Sequence, residues 1–359
     1  MDRTASAFGE RLETERTDIW RYERFYEPRI ESGCWLTIGE GWTKSLEVPD
    51  LAAELSLERL ILKREDLNPT GSHKARSLAY QVSKAKQEGK KVLLISSSGN
   101  AAAAAASYTA LAGMRLIAFV SPETHPVKLQ EIERAGAAVI VTDRPINLAK
   151  YASRRYGIEN LRPSTNDASI EGFKSIGFEI YETLGEVDAI FTFVSSGSSL
   201  LGIAEAYRAL AEMEGISPPQ LYAVHSGALS PHSEEDAAKG PPLAGRLAAK
   251  RTRRAKAVLR AVEETGGEAV RIGDEEIKAA VSALAKRGVL TSPEGVASFA
   301  ALASVAERRR LKKAVCILTG HSSQWPLHGV APAKVAVRDE RELDNAIAKI
   351  LEDSSGVGT

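Results

Sequence analysis

Residues 92–120 read VLLISSSGNAAAAAASYTALAGMRLIAFV. Val92–Ile95 is a short apolar run that meets Ser96-Ser97-Ser98-Gly99 and then passes into the alanine-dense stretch Asn100–Leu111. Gly113 is well placed as the residue after that helix, and Leu116–Val120 is apolar again. Two strands separated by a helix of this length pair in parallel, through a right-handed crossover. The pattern continues through a helix Val127–Ala135 stopped by Gly136, a strand Ala138–Thr142 and a helix Ile146–Tyr156. One α/β unit therefore covers about 91–165, and the fold class is α/β.

A second series begins with the helix Ile170–Leu184, whose Ile170, Phe173, Ile176, Ile180 and Leu184 share a face. Asp188–Val194 is a strand that empties into Ser195-Ser196-Gly197-Ser198-Ser199, followed by the helix Leu200–Ala211. Leu221–His225, Ala269–Ile272 and Ala314–Leu318 read as three more strands. Asp274 reads as the N-cap of a helix Ile277–Lys286, with Glu275 and Glu276 in its acidic start. Ser226–Gly245, rich in proline and acidic residues, reads as a surface loop.

The length of 359 residues suggests about two domains, and 43% apolar content suffices for a core. Lys plus Arg and Asp plus Glu are both 47, which argues against a dedicated nucleic-acid or membrane-surface binder. No run is long and apolar enough for a membrane helix, and the start MDRTASAFGERLETER lacks a signal-peptide core. Cys34 and Cys316 make no disulfide framework and lack metal-ligand spacing, so a cytoplasmic protein without a metal site is expected. Two basic runs, Arg246–Lys256 and Arg308–Lys313, have no interleaved aromatics and read as solvated helix faces.

Three loops share one chemistry. Lys63-Arg64-Glu65-Asp66-Leu67-Asn68-Pro69-Thr70-Gly71-Ser72-His73-Lys74 precedes a helix with apolar positions Ala75, Leu78, Ala79 and Val82. Lys74 thus lies in a first helical turn, where the helix dipole disfavours a cation and lowers the amine's pKa. Such a lysine is either structural or a nucleophilic amine. Ser96–Asn100 and Ser195–Gly202 are both strand-to-helix turns that present backbone N–H groups to an anion. Ser98 or Asn100 could equally be a plain N-cap, and neither turn has dinucleotide or P-loop glycine spacing. A nucleotide-dependent oxidoreductase is excluded on that ground.

The loops occur in a known order. Asn68-Pro-Thr-Gly-Ser-His-Lys-Ala-Arg76 resembles the N-P-T-G-S-F-K-D-R lysine motif of fold-type II pyridoxal phosphate enzymes. Ser97-Ser98-Gly99-Asn100 resembles their asparagine loop, and Ser195–Leu200 their glycine-rich phosphate loop. Leu318-Thr319-Gly320-His321, Gly39–Thr43 and Ser292-Pro293-Glu294-Gly295 also resemble segments of threonine synthases, and the likeness runs from about 36 to 325. The resemblance implies two three-layer αβα domains around mostly parallel sheets, with the active site in the interdomain cleft. A small mobile domain would hold 91–165 and a large discontinuous one 1–90 with 166–359. It further implies pyridoxal 5'-phosphate as cofactor and a homodimer.

Carried over residue by residue, the resemblance makes Lys74 the Schiff-base lysine and proton carrier. Asn100 would meet the cofactor's 3′-oxygen, Ser196, Gly197, Ser198 and Ser199 its phosphate, and Thr319 its ring nitrogen. Ser97 and Ser98 would take a substrate's α-carboxylate, and His73 would be a further substrate contact. His73 stands for the usual Phe, Ala75 for Asp, and Ser169 for the arginine that holds the substrate phosphate in threonine synthases. The expected activity is elimination or replacement at the β or γ carbon of an amino acid. Conversion of O-phosphohomoserine to threonine and phosphate is the family's default reaction. Dehydration of serine or threonine and β-replacement on phosphoserine or an O-acylserine are the alternatives, and a non-catalytic binding protein of this fold is a third. His225 reads as a satisfied core histidine, His321 as equally placed for packing or a ligand, and Cys316 as a small buried apolar residue.

Overall fold

The computed structural model describes residues 6–226 and 253–321. Most of the Ser226–Gly245 loop and the first part of the Arg246–Lys256 run lie outside these residues.

Two sheets carry the chain. The first holds β1 (Ser45–Glu47), β2 (Arg59–Lys63), β6 (Ala189–Phe193), β7 (Gln220–His225), β8 (Glu268–Arg271) and β9 (Lys313–Ile317), in the order β1-β2-β9-β6-β7-β8. Only β1 runs antiparallel, against β2; the other four pairings are parallel. The second sheet holds β3 (Val92–Ser96), β4 (Arg115–Val120) and β5 (Ala138–Val141), all parallel.

Alternation along the strands explains the layers, because successive side chains point to opposite faces. Ile61, Ile190, Val315 and Ile317 pack with α2 (Lys74–Gln87), α6 (Ser169–Leu184), α7 (Ser198–Glu214) and α8 (Ala255–Glu264). Their neighbours Leu60, Leu62, Phe191, Phe193 and Cys316 turn the other way, onto α9 (Asp274–Ala285) and α10 (Pro293–Ala306). The small sheet repeats the device. Leu93, Ile95, Ala118 and Val120 meet α3 (Asn100–Leu111), while Leu94 and Phe119 meet Ala149 of α5 (Pro145–Tyr156). Each such side chain taken wholly out of water contributes about 1.5–3 kcal/mol.

The alanines of α3 have a packing reason. Ala102, Ala104, Ala105 and Ala106 are fully buried, so this helix is enclosed nearly all round and has no amphipathic stripe. Two helix starts differ from expectation. Gly99, rather than Ser98 or Asn100, is the N-cap of α3 and makes no side-chain cap. Gly273, rather than Asp274, caps α9, because Glu276 Oε2 reaches back to accept from the Gly273 N–H at 2.6 Å.

The Gly39–Thr43 loop is welded to α3 by a carboxyl. Glu40 is buried; its Oε2 accepts from the Tyr108 hydroxyl at 2.6 Å and from the Ile38 N–H at 3.0 Å. Gly41 beside it has φ +102°, and a Cβ there would sit 3.0 Å from the Ile19 backbone nitrogen, so glycine is required. Burial pushes the Glu40 carboxyl up to about 7. The native state therefore holds a proton that the unfolded chain has released above its ordinary value of 4.5, and stability falls as pH rises from there to about 7. We expect Glu40→Gln to remove this slope and to exceed the wild type at pH 8 by on the order of 3 kcal/mol. Thermal unfolding of both proteins at pH 5 and pH 8 checks it. Equal slopes in the two would refute the assignment.

Candidate active site

Three helices begin around one point, and none has a side-chain cap: α2 at Lys74, α3 at Asn100 and α7 at Ser198. Some first-turn N–H groups have local acceptors, the Lys74 N–H on Ser72 Oγ at 3.3 Å and the Ser198 N–H on Ser196 Oγ at 3.4 Å, and the dipoles of all three helices favour an anion. The structure ties the helix starts together through the strand end after β9. Ser72 bridges Gly320, the His73 N–H donates to the Thr319 carbonyl at 3.1 Å, and the His321 N–H donates to that of Gly71 at 2.8 Å. A Cβ on Gly320 would lie 3.2 Å from Asn100 Nδ2, which brings the asparagine against the same point. From the other side, the Ser77 hydroxyl donates to the Ser169 carbonyl at 2.9 Å, and the Ser169 hydroxyl to Ser198 Oγ at 3.1 Å.

Lys74, Asn100, Ser199 and Thr319, far apart in sequence, thus converge. None of their side chains makes a hydrogen bond to any described residue. The Lys74 amine lies 5.4 Å from the centroid of the Phe173 ring, and burial lowers its pKa to about 8 from the ordinary 10.5. A lysine half out of water, without a carboxylate partner, is costly as structure and well suited as a nucleophile. Gly197, with φ +84°, caps α7 in the left-handed region, and a Cβ there would lie 2.6 Å from Val258 Cγ2. The turn can form only with glycine, and within it the Ser198 N–H donates to Ser196 Oγ at 3.4 Å.

His73, expected as a substrate contact, has one ring nitrogen engaged inside the protein. Its Nδ1 lies 2.7 Å from the Thr319 carbonyl and, in the tautomer that contact requires, donates to it. Burial, and then the neighbouring Lys74 charge, hold its pKa well below the ordinary histidine value. It is a neutral clamp that fixes the backbone at Thr319 to the start of α2. Ser97 and Ser98 also have local partners, accepting from the Gly99 and Ser121 N–H groups at 3.3 and 2.9 Å. Their own O–H groups remain able to donate.

A buried charge cluster stands behind the lysine. Arg76 and Glu65 are fully enclosed; Arg76 Nε and Nη2 donate to the two Glu65 oxygens at 2.7 and 2.6 Å, and Nη1 lies 2.8 Å from Glu179 Oε2. Lys63 pairs with the other Glu179 oxygen. Burial pushes both carboxyls up, but the Arg76 and Lys63 charges outweigh it and hold them below their ordinary values. Asn68, from the lysine motif, donates to Glu65 at 2.8 Å and accepts from the Gly41 N–H at 3.0 Å. The cluster locks β2, α2, α6 and the Gly39–Thr43 loop in one register. Arg76 belongs to the sequence motif, but no spacing rule points from it to Glu179, 103 positions on, or to Phe173.

Other expectations need correction. Arg254 is buried rather than solvated: its Nη1 donates to the Pro163 carbonyl at 2.6 Å and its Nη2 to Asp167 Oδ1 at 2.7 Å. Arg308 and Arg309 do sit at the surface, paired with Glu268. His225 is not satisfied: its Nδ1 has no partner among the described residues, and burial with the Arg271 charge lowers its pKa to about 4. His321 is exposed, and Cys316 is buried with its thiol pushed far up by burial. Among the described residues no cluster of potential ligands could hold a metal, and no helix is long and apolar enough to cross a membrane.

With this geometry in hand, the similarities to known proteins are specific. The family pattern for pyridoxal-phosphate dependent enzymes matches residues 36–320. A threonine synthase of Halalkalibacterium halodurans is 31% identical over 320 residues, 86% of this chain and 89% of that one. A threonine synthase of Methanosarcina acetivorans is 31% identical over 343 residues, 88% and 82% of the two chains. Among solved structures, O-ureido-L-serine synthase with bound O-ureido-L-serine superposes with a TM-score of 0.69 at 18% identity, covering 85% of this chain and 95% of that one. Maize serine racemase gives 0.68 at 18% identity, covering 87% and 93%. The structural likenesses establish the fold, with its mostly parallel α/β sheets.

Proposed function

The chain belongs to the pyridoxal-phosphate dependent enzymes, and we propose from that premise that it catalyses elimination or replacement at the β or γ carbon of a small amino acid. The leading reaction is O-phosphohomoserine plus water to threonine plus phosphate, as in the threonine synthases it resembles. The observation that carries this reading is the Lys74 amine, without a hydrogen bond or ion pair to any described residue and held where three uncapped helix starts and Thr319 converge.

The donor set suits the cofactor. Lys74 would hold it covalently, Ser196, Gly197, Ser198 and Ser199 would bind its phosphate at the start of α7, Asn100 its 3′-oxygen, and Thr319 its ring nitrogen. Bound pyridoxal phosphate supplies an electron-poor ring that accepts negative charge from the substrate's α-carbon. Lys74 Nζ takes the proton from that carbon and later returns one. With its pKa near 8, a useful fraction of the amine is neutral at physiological pH. Thr319 offers the ring nitrogen a hydroxyl rather than a carboxylate, and so does not protonate it. The weaker electron sink favours loss or exchange of a side-chain group over transamination. Ser97 and Ser98 hold the substrate carboxylate at the start of α3 through their free O–H groups and the helix dipole. The unit 91–165 would close over the substrate and shed water from the site.

A second reading rests on Ser169. Its side chain is enclosed and bonded to the Pro163 carbonyl at 2.9 Å and to Ser198, so this position offers no cation to a substrate phosphate. That observation favours serine, threonine or O-acetylserine as substrate. The test is a titration of the cofactor-loaded protein, followed by visible absorption and product assay. The panel is O-phosphohomoserine, O-phosphoserine, O-acetylserine, serine and threonine. We expect O-phosphohomoserine to shift the visible band and to release phosphate and threonine in equal amounts. A 2-oxo acid from serine or threonine, with O-phosphohomoserine inert, would install the second reading. An unresponsive band with all five would overturn both.

A further inference from the structure

A cleft of about 430 Å³ opens beside the catalytic site without including Lys74, Asn100 or Thr319. Its walls are α5, the end of β3, the segment 159–167 and Arg253 just before α8. Four cations line it: Lys150, Arg154, Arg162 and Arg253. Lys150 and Arg154 stand one turn apart on α5, where like charges repel unless an anion lies between them. None of the four forms an ion pair with a described residue, whereas both acids of the lining are already neutralised. Glu159 pairs with Lys90, and Asp167 with Arg254 at 2.7 Å.

Two groups on the walls lack the partners their burial calls for. Arg162 is half-buried with no ion pair to a described residue, and burial lowers its pKa. The Ser96 hydroxyl, on a residue only 5% exposed, has no hydrogen-bond partner among the described residues. Asn160 and Asn166 stand beside the cations, the Asn166 amide donating to Glu159 Oε1 at 3.0 Å and to the Asn160 carbonyl at 3.3 Å. A cleft with four cations that make no ion pair to a described residue, and with the Ser96 hydroxyl on its wall unused, selects a small, multiply charged oxyanion.

We propose that this cleft is a binding site for a small phosphate-bearing anion, recognised by Arg162, Lys150, Arg154 and Arg253 with the Ser96 hydroxyl. An occupant would be felt at both cofactor loops. Ser96 directly precedes the Ser97–Asn100 turn, and Arg162 directly precedes Pro163, whose carbonyl accepts from Ser198 Oγ at 3.0 Å. The anion is either the phosphate set free in turnover or a separate phosphorylated metabolite, and the two share the recognition chemistry. The site stands independently of the proposed reaction, because its occupancy is read without turnover.

The test is isothermal titration of inorganic phosphate and of pyrophosphate into protein saturated with pyridoxal phosphate, in a low-salt buffer without phosphate. The visible band is followed throughout. We expect one saturable site per chain, weakened tenfold or more by Arg162→Ala and by the pair Lys150→Ala with Arg154→Ala, with partial rescue by Arg162→Lys. Lys256→Ala, exposed and outside the cleft, should leave it unchanged. Equal affinity for the two probes would assign released phosphate, and a tenfold preference for pyrophosphate a separate ligand; both support the site. Absence of saturable binding, an unaltered affinity in Arg162→Ala at an unchanged unfolding midpoint, an equal loss in Lys256→Ala, or loss of the visible band as the probe binds would each overturn it.

Discussion

Lys74→Ala is expected to retain no visible absorption after loading with pyridoxal phosphate and dialysis, and to lose turnover by roughly 10³-fold or more. Two losses combine in that figure: the proposed covalent anchor for the cofactor, and the amine proposed to move a proton at the substrate's α-carbon. The same substitution should stabilise the cofactor-free protein at neutral pH. Burial lowers the Lys74 pKa to about 8 from 10.5. The native state therefore binds fewer protons than the unfolded chain between those values, and wild-type stability rises with pH across that window. The alanine variant should be the more stable at pH 7, with the gap closing toward pH 10. Gain of stability with loss of function is the expected mark of a residue kept for chemistry. Retained absorption after dialysis would remove Lys74 from its role. Lower stability of the variant at pH 7 would mean that the amine has a structural partner.

The second large effect belongs to Arg76. Arg76→Met keeps most of the side-chain volume but removes the charge that both Glu65 and Glu179 face, leaving Lys63 alone against two enclosed carboxylates. Breaking a buried ion pair on one side costs about 3–5 kcal/mol, because the remaining charge stays buried without compensation. We expect a loss of that size in urea unfolding, with cofactor capture impaired because α2 carries Lys74 two residues away. A loss below about 1 kcal/mol would show that the cluster relaxes or takes up water, and that α2 is held by its apolar face instead.

How far the site could be read from the chain depends on what sets each part of it. Val92–Ile95, Asn100–Leu111 and their repeats declared strand, turn and helix locally, through apolar periodicity and glycine punctuation. Lys74 was legible because a lysine in a first helical turn runs against the dipole and so needs a reason. The shift of the α9 cap to Gly273 was legible in principle, since Glu276 three residues on is the reciprocal partner. Arg254 was not. A basic run in a neutral chain gives no sign that one of its members will be drawn inside by the Pro163 and Asn166 carbonyls.

The sequence by itself therefore determined the α/β class, the turns that open α2, α3 and α7, and the family, because these depend on neighbours within a turn or a strand. Only the tertiary structure decided that His73 serves Thr319, that Arg76 is balanced between Glu65 and Glu179, and that four cations face a common cleft. His73 and Thr319 are 246 positions apart, Arg76 and Glu179 are 103 apart, and the cleft cations come from three separate segments. Their energies are electrostatic terms that depend on burial and distance, and neither quantity is written in local order.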